Sequence, residues 1–153
     1  MASFLIVIAA LIAVPATAQV GSGRPLSDKQ ETLHAEIAIS TLPTAEIDKL
    51  SPVRPLDHDT EVDRSEAVTI ILRVPGCQAE AFGDCKVSAD IVTYGPSGAV
   101  HSETKGLSLA RGRTTAPLRL QTSDPTGLYR VVATVRDLNA QRFATVERIF
   151  GVK

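Results

Sequence analysis

The chain has 153 residues, 44% of them hydrophobic, and a formal net charge of −1. Such near-neutrality excludes bulk electrostatic attraction to nucleic acid or anionic lipid. Aromatic residues make up only 4% and Trp is absent, so stacking platforms for bases or sugars are hard to build.

The first element is an unbroken apolar run, Phe4–Val14, ended by Pro15 and followed by Ala16-Thr17-Ala18. An apolar core followed by small residues in an A-x-A arrangement is the pattern of a secretory signal peptide. The run is well short of the roughly 20 residues that a spanning helix needs. No Lys or Arg precedes it, so the amino terminus is the sole n-region charge and the true start codon stays open. Residues 1–18 are therefore expected to be removed on export, with the product periplasmic or secreted. No later segment has the length and hydrophobicity of a membrane span.

Residues 19–66 are expected to be a poorly ordered or peripheral segment able to add a strand. Gln19–Ser27 is rich in Gly, Ser and Pro. Ser27-Asp28-Lys29-Gln30 has the form of a helix capping box, whereas Ala35–Ile39 suits a strand, and both readings of residues 28–40 stay open. Pro43, Pro52 and Pro55 make Leu42–Asp63 a poor candidate for regular structure. Within that stretch Asp57, Asp59 and Asp63 form a weak candidate metal site, although the segment has no Gly and is flanked by Arg54 and Arg64.

From residue 67 to residue 153 the pattern changes to period two, with turn signals between the runs. Val68, Ile70, Leu72 and Val74 alternate with Thr69, Ile71 and Arg73, which predicts one inward and one outward face. Val87, Ala89 and Ile91 alternate in the same way before Gly95-Pro96-Ser97-Gly98. Weaker runs lie at Val100–Leu109 and Leu118–Gln121. The strongest is Leu128–Asp137, with Arg130 and Arg136 on its outward side, and Asn139-Ala140 connects it to Arg142–Val152. Strands at this spacing, without helical patterns between them, predict an antiparallel sandwich or barrel.

Two cysteines, Cys77 and Cys85, flank one loop, and an even count in an exported chain reads first as a disulfide. Closing so short a loop contributes on the order of 2–3 kcal/mol in the chain-entropy model. The enclosed tip holds Phe82, which either faces a partner or tucks into the end of the domain. Arg111 and Arg113 form a basic, turn-like tip of their own. Phe82, Arg111 and Arg113 are thus the candidate contacts for a partner.

Asp124-Pro125-Thr126-Gly127-Leu128-Tyr129 resembles the tyrosine corner of immunoglobulin-like sandwiches, with Tyr129 as the corner residue, Gly127 in the turn and Asp124 before it. Together with Gly76-Cys77, Cys85 and Pro96-Ser97-Gly98, it makes residues 67–153 similar to a group of small exported bacterial proteins without assigned activity. The resemblance implies an all-β fold, an immunoglobulin-like antiparallel β-sandwich of about seven strands. The placing of the cysteines departs from antibody-type domains, whose disulfide joins the two sheets.

No Gly-x-Ser-x-Gly elbow is present, and His34, His58 and His101 share no motif with a carboxylate. No cofactor is expected. The expectation is a non-catalytic binding or accessory module that meets a protein partner in the cell envelope or outside the cell. A metal-dependent hydrolase using the Asp57–Asp63 segment and a self-assembling envelope subunit are the alternatives.

Overall fold

The structure, a computed structural model, describes residues 33–50, 58–75, 86–109, 112–139 and 141–153. The expected signal segment, the capping box at Ser27–Gln30, Asp57, Cys77, Phe82, Cys85 and Arg111 lie outside the described residues.

Among the described residues, eight strands and one helical turn follow in order: β1 (Glu36–Ser40), α1 (Thr44–Ile47), β2 (Glu61–Val62), β3 (Val68–Arg73), β4 (Val87–Tyr94), β5 (Val100–Ser108), β6 (Arg113–Leu118), β7 (Gly127–Asp137) and β8 (Arg142–Val152). They form a three-stranded sheet, β1-β3-β6, and a five-stranded sheet, β2-β8-β7-β4-β5. All pairings are antiparallel except that of β2 with β8. In the lettering of immunoglobulin domains, β1, β3 and β6 are A, B and E, while β4, β7 and β8 are C, F and G. β5 extends the second sheet in the place of C′. The fold is an all-β, immunoglobulin-like sandwich.

Period-two patterning explains the core. Ile37, Ile39, Val68, Ile70, Leu72, Ala116 and Leu118 project from one sheet, and Ala89, Ile91, Val131, Ala133, Val135 and Val152 from the other. With no Trp in the chain, the largest fully buried side chains are Tyr129 and Phe150, directly opposite each other on β7 and β8. Their ring centroids are 5.7 Å apart. The core also takes in residues of β1 and Val62 of β2, both from the 19–66 segment.

Three details differ from the sequence reading. The outward positions of β3 are not solvated: Ile71 packs with Ala38 and Ile47, and the Thr69 hydroxyl donates to the carbonyl of Leu42 at 3.1 Å. The stretch after β1 is a strap across the back of the three-stranded sheet, and α1 presses Ile47 onto it. Thr41 anchors the start of the strap through its N–H and hydroxyl, which donate to Asp59 Oδ2 at 2.8 and 3.1 Å. Prolines in the surrounding stretch limit long elements, but they permit one helical turn begun by Pro43 and a two-residue parallel strand.

Second, the expected strand at Leu118–Gln121 is displaced: β6 runs from Arg113 to Leu118. Only Ala116 and Leu118 are buried along it, a pattern too sparse to read by alternation. Third, Arg113 is not at a free tip. It opens β6 opposite Arg73, after Gly112 turns the chain at φ 68°, and its guanidinium donates to the carbonyls of Leu50 (3.0 Å) and Asp48 (3.4 Å).

Sheet edges are managed locally. On β1 the carbonyls of Ile37 and Ile39 accept from Arg148 Nε (3.2 Å) and the Asp59 N–H (2.8 Å). Pro117 sits on edge strand β6, where a missing N–H is tolerated. β5 carries the Glu103–Lys105 ion pair and a register shift against β4 where Gly106 adopts φ 67°.

Candidate functional site

Register alone assembles one end of the sandwich. Glu36 pairs with Arg73, Arg73 with Arg113, Val87 with Asp137, and Asp137 with Arg142. Hydrogen bonds join the flanks of the connections: Val74 N–H to Gly112 O (2.7 Å), Leu109 N–H to Val87 O (3.0 Å) and Leu138 N–H to Lys86 O (2.8 Å). The flanks of the 76–85 and 110–111 segments and the β7–β8 hairpin therefore meet at this loop end.

The hairpin itself is fixed from within. Asp137 accepts from the Asn139 N–H and from Arg142 Nη2, each at 3.0 Å, and Gln141 closes the turn with φ 53°. On its outward side lies a shallow groove of about 500 Å³, lined by Thr134, Arg136, Asp137, Leu138, Gln141, Arg142 and Phe143. Phe143 is 76% exposed and Leu138 58%. Arg136 stands directly opposite Phe143 on the same sheet face, so the two residues are cross-strand neighbours. Arg136 Nη1 donates to Asp90 Oδ2 at 2.7 Å, while Asp90 Oδ1 accepts from the Gly106 N–H at 2.9 Å.

These contacts hold the Asp90 carboxyl below the ordinary value of 3.8, the Gly106 N–H first and the Arg136 bond second. A depressed folded-state pKa contributes stability that is complete above the ordinary carboxylate range and lost as pH falls through the folded value. Thermal unfolding followed between pH 5 and 2 is therefore expected to show a shallower acid loss for Asp90→Asn than for the wild type. Parallel curves would remove Asp90 from the acid response.

The opposite end holds the corner motif. Tyr129 is buried and its hydroxyl donates to the Pro125 carbonyl at 2.9 Å, the bond that defines a tyrosine corner. Burial raises the phenol above its ordinary value of 10.0, the Asp124 charge adds to this, and Arg64 opposes it. The Asp124 carboxylate accepts from the Gln121 N–H at 2.6 Å, and Arg64 Nη1 donates to the carbonyls of Thr122 (2.9 Å) and Asp124 (3.1 Å). His101, from β5, sets its ring edge-on to Tyr129 with 5.5 Å between centroids. Its Nε2 lies 3.2 Å from Arg119 O and 3.8 Å from Asp124 Oδ2.

Gly127 has φ 134°, and a Cβ there would lie 3.1 Å from both Cβ and Cγ of Pro96. Gly127→Ala is expected to cost about 1–3 kcal/mol from the backbone conformation alone, read by urea unfolding. Pro96→Gly in that background should recover the steric part, whereas strict additivity would show that the contact does not matter.

Asp59 is engaged with Thr41, and the Asp63 N–H donates to Glu66 Oε2 at 2.8 Å. Among the described residues no group of three His, Cys, Asp or Glu could hold a metal ion. Of the expected partner contacts, Arg113 is tied to the strap, while Phe82 and Arg111 lie outside the described residues. Arg136 keeps the outward position expected of it, with its side chain 48% exposed. Alternation and turn signals do not single out Phe143 or Leu138. The available signal was an aromatic on the outward phase of β8, which only the register places opposite Arg136. Among the described residues no helix is long and apolar enough to cross a membrane.

No protein-family model matches the sequence. No curated protein matches it either. Solved structures with similar folds include a superoxide reductase (neelaredoxin) from Ignicoccus hospitalis, at 13% identity and TM-score 0.46, covering 86% of this chain and 89% of that one. An immunoglobulin-like protein from Pseudomonas aeruginosa is similar at 13% identity and TM-score 0.44, covering 80% and 95%. A Niemann-Pick type C2 protein from the Japanese carpenter ant is similar at 10% identity and TM-score 0.40, covering 77% and 89%.

Proposed function

We propose that the protein is an exported, non-catalytic binding or accessory module that meets a protein partner in the cell envelope or outside the cell through the loop end of its sandwich. The observation that carries this reading is the exposed Phe143–Leu138 surface beside Arg136, on the end where the flanks of both partner-contact segments gather. Aromatic and Arg side chains are enriched at the energetic centres of interfaces. Export follows from the 1–18 segment, and a Cys77–Cys85 disulfide would tether the loop that carries Phe82. Intact mass before and after reduction would reveal that bridge as a gain of two hydrogens.

Capture with the purified exported chain from envelope extract, at moderate salt, tests the reading. A specific partner, weakened by Phe82→Ala or by Phe143→Ser in correctly folded protein, is the expected result. Capture of nothing beyond a control domain would overturn it. The alternatives have less support. A metal-dependent hydrolase would need the Asp59 carboxylate that Thr41 occupies, and a self-assembling subunit would need an edge strand such as β5, which carries a charge pair and a bulge.

A further inference from the structure

We infer that the groove at the β7–β8 hairpin takes an extended protein segment in which a carboxylate lies next to a large apolar side chain, the carboxylate on Arg136 and the apolar group against Phe143 and Leu138. This rests on the proposed binding role and names the chemistry of the partner.

The argument begins with Arg136. A guanidinium has five N–H donors, and the Asp90 bond uses Nη1. Asp90 is itself held by the Gly106 N–H, so it orients the guanidinium and leaves the rest of its donor fork beside the groove. An oriented guanidinium loses less freedom on binding a carboxylate than a mobile one, and its fork matches carboxylate geometry. The groove lining carries two arginines, Arg136 and Arg142, against one carboxylate, Asp137. Asp137 is buried and bonded to Asn139 and Arg142 within the hairpin, so it does not compete for the remaining donors of Arg136.

Apolar complementarity comes from Phe143 and Leu138. Phe143 is the most exposed large hydrophobic side chain among the described residues, and it neighbours the arginine across the strand pair. Thr134 and Gln141 add polar groups at the rim. A broad anionic surface suits the face less well. Glu147 and Glu103 share a row on the same sheet face, with Val132 and Val92 between them, and each is paired with a cation, Arg130 and Lys105, so this row offers such a surface no net positive charge. A narrow ligand that ends before that row meets Arg136 without meeting the glutamates.

Amide chemical shifts of the purified exported chain, titrated with acetylated and amidated Asp-Leu-Asp-Leu-Asp-Leu, test the inference. Saturable shifts confined to residues 134–143 and to Asp90 and Gly106 are expected, with no response to the Lys-Leu counterpart. Arg136→Gln and Phe143→Ser, each with an unchanged melting temperature, should weaken binding about tenfold, the scale of losing one interface anchor. Equal response to the basic peptide, shifts elsewhere, or shifts produced only by anionic lipid vesicles would overturn it. A captured envelope partner that both variants retain but Phe82→Ala loses would overturn this inference while leaving the binding role standing. Capture of no partner would overturn the role itself.

Discussion

Tyr129→Ala is expected to destabilise the protein by about 3–5 kcal/mol, the cost of deleting a large buried ring from a core that cannot collapse around it. The ring lies between Phe150, at 5.7 Å, and the edge-on imidazole of His101, at 5.5 Å, and it is fully buried. Tyr129→Phe keeps the ring and loses only the bond to the Pro125 carbonyl, so about 1 kcal/mol is expected. Urea denaturation of the two variants separates packing from the corner bond. Equal losses would place the whole effect in the hydroxyl. The phenol also has a pH signature. Its pKa is raised in the fold, so the stability it contributes is complete below pH 10 and lost as pH rises through the folded value. Tyr129→Phe should lack that alkaline loss, while Phe150→Leu should retain it.

Ile47→Ala is expected to cost about 2–5 kcal/mol, a large effect for a residue in a four-residue helix. Ile47 is fully buried against Ala38 and Ile71 on the back of the three-stranded sheet, a small cluster separate from the main core. Its removal opens a cavity under the strap and exposes the outward face of β3. The strap's other ties are hydrogen bonds: Thr41 to Asp59, Thr69 to the Leu42 carbonyl, and Arg113 to the Leu50 and Asp48 carbonyls. Hydrogen exchange should therefore rise first at the amides of residues 44–50 in this variant, with β7 and β8 still protected. Uniform loss of protection would mean that the strap and the sandwich open as one unit.

The legibility of the chain follows how much each residue's environment depends on its neighbours in sequence. β4, β7 and the first inward phase of β3 were plain, because a half-buried strand imposes an apolar–polar alternation on its own residues. The corner was plain for a similar reason, since Gly127, Tyr129 and Pro125 lie within five residues of one another and their chemistry is local. β6 was misplaced because two small or polar stretches bracket its two buried residues. The burial of Thr69 and Ile71 could not be read, since it depends on a strap more than twenty residues upstream. Arg113 looked like a solvated turn residue for the same reason, its acceptors being the carbonyls of Asp48 and Leu50.

The groove shows the same division. Arg136 was placed outward by alternation alone. Its pairing with Asp90, the turn of Asp90 toward Gly106 and the position of Phe143 beside it come from the register of β4, β5, β7 and β8. Local pattern thus determined the fold class, the main core and the corner, because period-two burial and turn chemistry are written in adjacent residues. Tertiary structure alone decided which outward faces are covered and which outward side chains become neighbours, because those depend on strand register and on contacts between distant segments. The loop end belongs to that second kind: each of its residues is ordinary on its own strand, and they form a surface only where the strands meet.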